Sequence, residues 1–409
     1  MRCAPIFIIA SVVGCSSTQD FQLPVVAKDD AGAASPKGPP ADQGSIGCGG
    51  PSDSNNCGAC GHTCLGGACA AGKCVPIVLA SGQGDSASGV PWYPYTTDSG
   101  DPLAGPDRLA VDEVHVYWLN LRGEVMRVPI SGGKAEHIAT TKAAPSWIAL
   151  ADQTVFFSTL GGEIYRVPKA GGTPILFAPA SARRGIMMLP GPYPLELRVA
   201  GDRLQWADGS GVYACPLAGC SGSPQTIDAG SADLRPFSFA VDASGKMYAS
   251  EEGVSSGTAS YAMTVFRKGQ WLGVGGPTGY YELQGGESEV YALATTDFGP
   301  TGVVRWSESS VTFLASGNAI PGAARGLALD DDFAYWSNAA PNQIDRQKRT
   351  ASVVRCAKTG CALPEVLADG QLVPRAVAVS KGAVYWTTGD GNVMKLAKPE
   401  RLGTSHPLP

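Results

Sequence analysis

Charged side chains are scarce in this 409-residue chain. Asp, Glu, Lys and Arg make up 16% of it, and the net charge is −5. The basic residues are scattered rather than gathered into a stripe, so no surface for nucleic-acid phosphates is expected. Histidine is rarer still, with four residues in all (His62, His115, His137 and His406), no two spaced as a metal pair. Neither a Gly-rich phosphate loop nor a nucleophile elbow occurs. The N-terminal apolar stretch, Ala4–Val13, is about half of the ~20 residues a membrane-spanning helix needs. What abounds is glycine (53) and proline (31), the composition of a turn-rich, mildly acidic folded chain.

The first fifteen residues, MRCAPIFIIASVVGC, have the layout of an export signal: Arg2 as the positive end, a short apolar run, then a small residue before Cys15. The ending VVGC resembles the lipobox of bacterial lipoproteins, in which the signal is cut before a cysteine that receives lipid. That resemblance implies a signal peptide over 1–14 and lipidation of Cys15. With Ser16 rather than Asp following, it also implies an outer-membrane-anchored lipoprotein that meets the membrane through its lipid only. Ordinary secretion with Cys15 unmodified is the alternative. Residues 15–47 lack hydrophobic periodicity and are rich in Ala, Gly, Pro and Asp, so they are expected to form a disordered tether. Its reach would be roughly 30 Å.

Of the twelve cysteines, Cys3 leaves with the signal and Cys15 takes lipid, which leaves an even ten. Six of these (Cys48, Cys57, Cys60, Cys64, Cys69 and Cys74) crowd into residues 48–74. Four form two C-x4-C pairs, Cys215 with Cys220 and Cys356 with Cys361. In an exported chain this pattern means disulfides. The 48–74 module is mostly Gly, Ala, Asn and Ser, so its bridges must supply its order, and their pairing is one of fifteen possibilities. The rival reading is zinc on Cys57, Cys60, His62 and Cys64, which an oxidising compartment and an even cysteine count oppose. The run NCGACGHTC…GGACAAGKC resembles short Cys-rich segments of exported myxobacterial proteins, a likeness that carries no activity.

From residue 107 the chain repeats itself. DRLAVDEVHVYWLNLRGEVMRVPISGGKAEHIATT (107–141) parallels SWIALADQTVFFSTLGGEIYRVPKAGGTPILFAPA (146–180), each with four short runs (A to D) rich in Val, Ile, Tyr, Phe and Trp between Asp or Gly turns. Five looser units follow. Aligned on run B, they place Trp118, Phe157, Trp206, Ala249, Ala292, Trp336 and Trp386 at one position, 39 to 50 residues apart. Four strands at that period signal an all-β fold, a seven-bladed β-propeller over residues 75–400 with a short tail over 401–409. Weak fourth and fifth units leave six or eight blades open. The seventh unit lacks run D. PIVLASGQ (76–83) matches PEVLADGQ (364–371), the D run of the sixth unit, and is expected to supply the missing strand by pairing with the last blade near Val393–Leu396. Tyr117-Trp118, Tyr335-Trp336 and Tyr385-Trp386 resemble YWTD-type repeats of receptor propellers, usually six-bladed, which supports the fold and not the count.

The A–B and C–D turns are short. Insertions at 84–106 and 179–194 join D to A, and insertions at 253–262 and 339–351 join B to C, so all four are expected on one face. Loops on a rigid scaffold are a usual seat of binding. The candidate recognition residues there are Trp92, Tyr93 and Tyr95, with Arg183, Arg184, Tyr193, Gln343, Arg346 and Arg349. Such side chains suit a protein or carbohydrate ligand. The reading is a non-catalytic binding or scaffold module that needs no cofactor or metal. The alternative is a metal-assisted hydrolase or lyase at the channel mouth, for which Glu196, Asn120, Asn338 and Asp390 are the acidic and amide residues at hand. The recurrent turn aspartates (Asp112, Asp152, Asp202, Asp242, Asp330, Asp331 and Asp332) are expected to serve their turns.

Overall fold

Every repeat becomes one four-stranded antiparallel sheet with its strands in the order A-B-C-D, and seven such sheets form among the described residues. The computed structural model describes residues 51–84 and 106–399, less 107, 121–122, 143–144, 181–195, 209–210, 221, 229–233, 244, 256–257, 268–269, 275–278, 296–301, 308–309, 316–322 and 340–349. Sheets one to six occupy residues 108–140, 145–178, 196–228, 234–274, 279–313 and 323–372. Sheet seven takes its first three strands from residues 377–397 and its fourth from Ile77–Ala80. In that closing pair Ile77 faces Lys395, Val78 faces Met394 and Ala80 faces Val393, antiparallel as the sequence echo requires.

Strand A of each sheet packs on strand A of the next, and that of sheet seven returns to that of sheet one. The result is a β-propeller. Its cohesion comes from the two-residue period of strand B, whose successive side chains point to opposite faces of the sheet. In sheet one, Trp118 packs back into a cluster with Leu79, Tyr385 and Val393 of sheet seven, while Tyr117 packs forward against Ile148 and Phe157 of sheet two. Trp336 and Tyr335 divide in the same way, toward sheets five and seven. So do Trp386 and Tyr385, toward sheets six and one. Where Trp gives way to Ala249 and Ala292, Phe239 and Trp306 supply bulk to the same interfaces. A Tyr-Trp pair is thus one residue for each neighbouring interface.

Arginines on strand C add a second tie. Arg166 Nη1 donates to the carbonyls of Leu217 (3.1 Å) and Ala218 (2.7 Å) in the C–D turn of the next sheet. Arg127 reaches Lys169 O, Arg305 reaches Lys358 O and Arg355 reaches Pro399 O in the same manner.

Of the turn aspartates, Asp112, Asp242 and Asp330 close their turns through side-chain oxygens, and two of them also reach the next sheet. Asp112 Oδ1 accepts from the N–H groups of Val114 and His115, and its Oδ2 lies 2.8 Å from Lys169 Nζ of sheet two. Asp330 repeats the pattern with Asp332, Phe333 and Lys398, and also accepts from the Tyr335 hydroxyl.

One expectation is corrected. Residues 253–255 and 258–262 are strand rather than a B–C loop. They lengthen strands B and C of sheet four to Met247–Ser255 and Thr258–Arg267, paired as far as Ser255 with Thr258. Alternating backbone pairing overrides the Ser- and Gly-rich composition that suggested a loop.

The Cys-rich module and the ring belong to one compact unit, 48–409. Bridges join Cys57 to Cys69 and Cys64 to Cys74, and Cys60 is also disulfide-bonded. The C-x4-C pairs close as Cys215–Cys220 and Cys356–Cys361, clipping the C–D turns of sheets three and six. Sulfurs of Cys57, Cys64 and Cys74 lie within 4.8 Å of one another, but as bridged sulfurs they are not the thiolates that bind zinc. Cys15 and Cys48 lie outside the described residues. No helix among the described residues is long and apolar enough to cross a membrane.

Candidate functional site

Two places in this fold are suited to function, the channel and the ring edge on which the strand ends flanking the long insertions open. The first strands of all seven sheets line a cavity of about 430 Å³ at the centre of the ring. Most of the residues along it are Val, Leu, Ile and Ala of the first strands, yet polar atoms make up the larger part of its exposed surface. Three charges line it, Arg108, Arg198 and Glu282, and each is paired.

Arg108 of sheet one donates through Nη1 to Glu282 Oε1 of sheet five (2.6 Å), and its guanidinium lies 4.0 Å over the ring of Trp147 in sheet two. Glu282 Oε2 accepts from the Leu327 N–H of sheet six (2.9 Å). One ion pair therefore ties four sheets across the channel. Glu282 holds φ of +51°, a left-handed conformation sparse for a non-glycine residue, at a register shift in its strand.

Arg198 makes a second crossbar. It donates through Nε to Phe239 O (2.8 Å), through Nη1 to Gln284 Oε1 (3.2 Å), and through Nη2 to Glu196 and Leu283 O. Glu196, 1% exposed, also accepts from the Phe239 N–H at 3.2 Å. Burial pushes its carboxyl above the usual range, against the opposing pull of Arg198, Ser238 and the Phe239 N–H. A general acid or base needs a carboxyl free to meet a substrate proton. Here both carboxylates are occupied in holding sheets together.

The other residues considered for a channel-mouth reaction do not converge. Asn120 closes the B–C turn of sheet one, donating to Glu124 Oε2 (2.5 Å) and accepting from the Glu124 N–H (3.1 Å). Asp390 accepts from Thr388 in the equivalent turn of sheet seven. Asn338 is buried on strand B of sheet six. Among the described histidines, His62 belongs to the Cys-rich module, and His115 and His137 to strands B and D of sheet one; none lines the cavity.

The second place is set by strand direction. In sheet one the start of A (Arg108) pairs with the end of B (Leu119), and the start of C (Glu124) pairs with the end of D (Thr140). Every D–A and B–C connection therefore leaves from one edge of the ring, and every A–B and C–D turn from the other. The strand ends flanking three insertions (Ala80 and Arg108, Ala178 and Glu196, Ala339 and Thr350) all open on that first edge. Trp92, Tyr93, Tyr95, Arg183, Arg184, Tyr193, Gln343, Arg346 and Arg349 lie in those insertions and outside the described residues.

No protein-family model matches the chain, and no curated protein does. Solved structures do. Virginiamycin B lyase from Staphylococcus aureus matches 73% of this chain and 96% of its own, with 11% identity and a TM-score of 0.53. YCF48 bound to D1 peptide matches 80% and 97%, with 9% identity and a TM-score of 0.52. The WD40 β-propeller domain of Doa1 matches 73% and 94%, with 11% identity and a TM-score of 0.51. What these proteins share with the chain is the propeller fold. At such identities their chemistry does not transfer: a lyase and a peptide-bound protein sit equally near.

The crossbars Arg108–Glu282 and Arg198–Glu196 were missed by reading the sequence. The signal was present, since each is a charge inside an otherwise apolar A run (RLAV, LELRVA, YYELQG).

Proposed function

We propose that the chain is an exported, lipid-anchored, seven-bladed propeller acting as a non-catalytic binding or scaffold module. Its recognition surface is the D–A and B–C edge of the ring. The observation that supports this reading is the strand order: the strand ends flanking the three insertions that carry the Trp, Tyr and Arg candidates open on that one edge. The occupied carboxylates of the channel support a non-catalytic role. Anchoring rests on the VVGC signal and is read by lipid labelling of the full chain, which Cys15→Ala abolishes.

The test of recognition is photo-crosslinking in the producing cell, with benzoylphenylalanine placed at Tyr93 or Tyr193 of the full chain and, as the opposite-edge control, at Glu113. Adducts from the first two sites and not from the third support the reading. Adducts from Glu113 alone, or from no site, refute it. The 430 Å³ cavity keeps a second reading, a metal-assisted hydrolase or lyase. It requires a stoichiometric metal in the purified protein, whose removal abolishes a lytic activity.

A further inference from the structure

The seam between sheets seven and one is closed by a strand of four residues, Ile77–Ala80, held by three register pairs to Val393–Lys395. Leu79 and Ala80 are buried there against Leu109, Trp118 and Val128 of sheet one. So short a strand is a weak latch, and the chain enters it directly from Cys74, which is bridged to Cys64.

The module before it is built onto the same seam. Lys395, 4% exposed and directly opposite Ile77, donates through Nζ to Leu65 O of the module (2.9 Å) and to Ile130 O of sheet one (2.7 Å). One ammonium thus touches the module, sheet seven and sheet one. The two ring nitrogens of His62 lie 2.5 Å from Cys57 O and 2.9 Å from Lys398 O, a further tie from module to sheet seven. The module's own buried apolar cluster consists of cysteines alone, so its shape depends on its bridges.

We propose that the Cys-rich module is a redox-dependent clasp on the ring: formation of the Cys64–Cys74 bridge seats Leu65 on Lys395 and fixes the closing strand in sheet seven. In the reaction the two thiols lose two protons and two electrons and form one S–S bond. An external disulfide, of an exported oxidase or of glutathione, takes them up and becomes two thiols. Without the bridge, Leu65 leaves its place at the seam while Cys69 stays tied to Cys57, and Lys395 loses one of its two carbonyl acceptors while remaining in a buried seam, an unfavourable state for a charge. The coupling between bridge and seam does not depend on where the protein resides. That the clasp closes only after the chain leaves a reducing compartment rests on the export reading above.

The test is hydrogen exchange on the purified full chain, comparing wild type with Cys64→Ser/Cys74→Ser and with Cys215→Ser/Cys220→Ser. The first variant is expected to lose protection at 77–80 and 393–395 while sheets two to six keep theirs; the second is expected to leave the seam protected. Adding Val78→Cys/Met394→Cys, across a directly facing pair, to the first variant is expected to restore protection under oxidising conditions. Retained seam protection in the first variant, equal loss over all sheets, or failure of the new bridge to restore the seam each overturns the proposal. An export defect measured separately would bear on the cellular setting alone.

Discussion

The Lys398 ammonium, just past strand C of sheet seven, lies 2.7 Å from Asp330 Oδ2 in the A–B turn of sheet six. Lys169 and Asp112 stand in the same relation between sheets two and one. A turn aspartate thus does two things. One oxygen closes its own turn, and the other binds the neighbouring sheet.

Acid should therefore loosen the ring at these joints. Burial raises the Asp330 carboxyl, but Lys398, the Tyr335 hydroxyl and two N–H groups outweigh it and hold it down to about 2. A carboxyl depressed on folding contributes stability that is present above its unfolded value and is lost as pH falls through its folded one. Asp330→Asn should lower the thermal midpoint at neutral pH, and its deficit relative to wild type should shrink as pH drops from about 4 toward about 2. Midpoints measured at intervals between pH 2 and 7 check this; a constant deficit would count against it.

Trp118 is fully buried at the seam. Trp118→Ala is expected to cost about 3–5 kcal/mol by removing apolar contact and leaving a cavity. Phe313→Ala, at a residue 36% exposed on an outer strand, should cost far less. Denaturant unfolding of the two variants makes the comparison, with far-UV circular dichroism confirming that both are folded.

Arg355 tests the strand-C tie. It is 4% exposed, donates to Glu365 Oε2 at 2.7 Å and to Pro399 O at 3.3 Å, and its guanidinium lies 4.3 Å over the Phe333 ring. Arg355→Met keeps apolar bulk and loses the charged hydrogen bonds, for a loss of about 1.5–3 kcal/mol. Arg355→Lys should recover only part of it, because a point charge cannot span both acceptors and stack on the ring. Full recovery by lysine, measured by the same unfolding curves, would show that charge alone matters.

The parts of this fold legible in sequence are those with a local period. The strand-B position from Trp118 to Trp386 and the PIVLASGQ strand could be found because a repeat states its own geometry each time it recurs. The channel crossbars could not. Arg108 and Glu282 are 174 positions apart and meet only when the ring closes, so no spacing rule links them. The 253–262 ribbon was misjudged because Ser and Gly favour loops, whereas long-range pairing decided the outcome. Asn120 and Asp390 follow strand B in their sheets, where no spacing marked them in sequence and where they close the B–C turns.

A close approach between inner strands that also needs a left-handed backbone gives the last prediction. Gly326, on strand A of sheet six, has φ of +54°, and a Cβ built there would lie 2.2 Å from Arg375 O and 2.7 Å from Val377 N at the start of sheet seven. Both atoms are backbone, so neither can swing aside as a side-chain tip would. Next to it, Leu327 N–H donates to Glu282, and through Glu282 to Arg108. Gly326→Ala therefore meets a conformational penalty and a steric one together, and relief of either pushes sheet six from sheet seven and pulls on the crossbar. The variant should lose far more stability than Gly172→Ala, where φ is +143° but no atom lies within 4 Å of the added Cβ. If the two midpoints fall equally, conformation alone is at work and the close packing of the inner strands contributes nothing measurable.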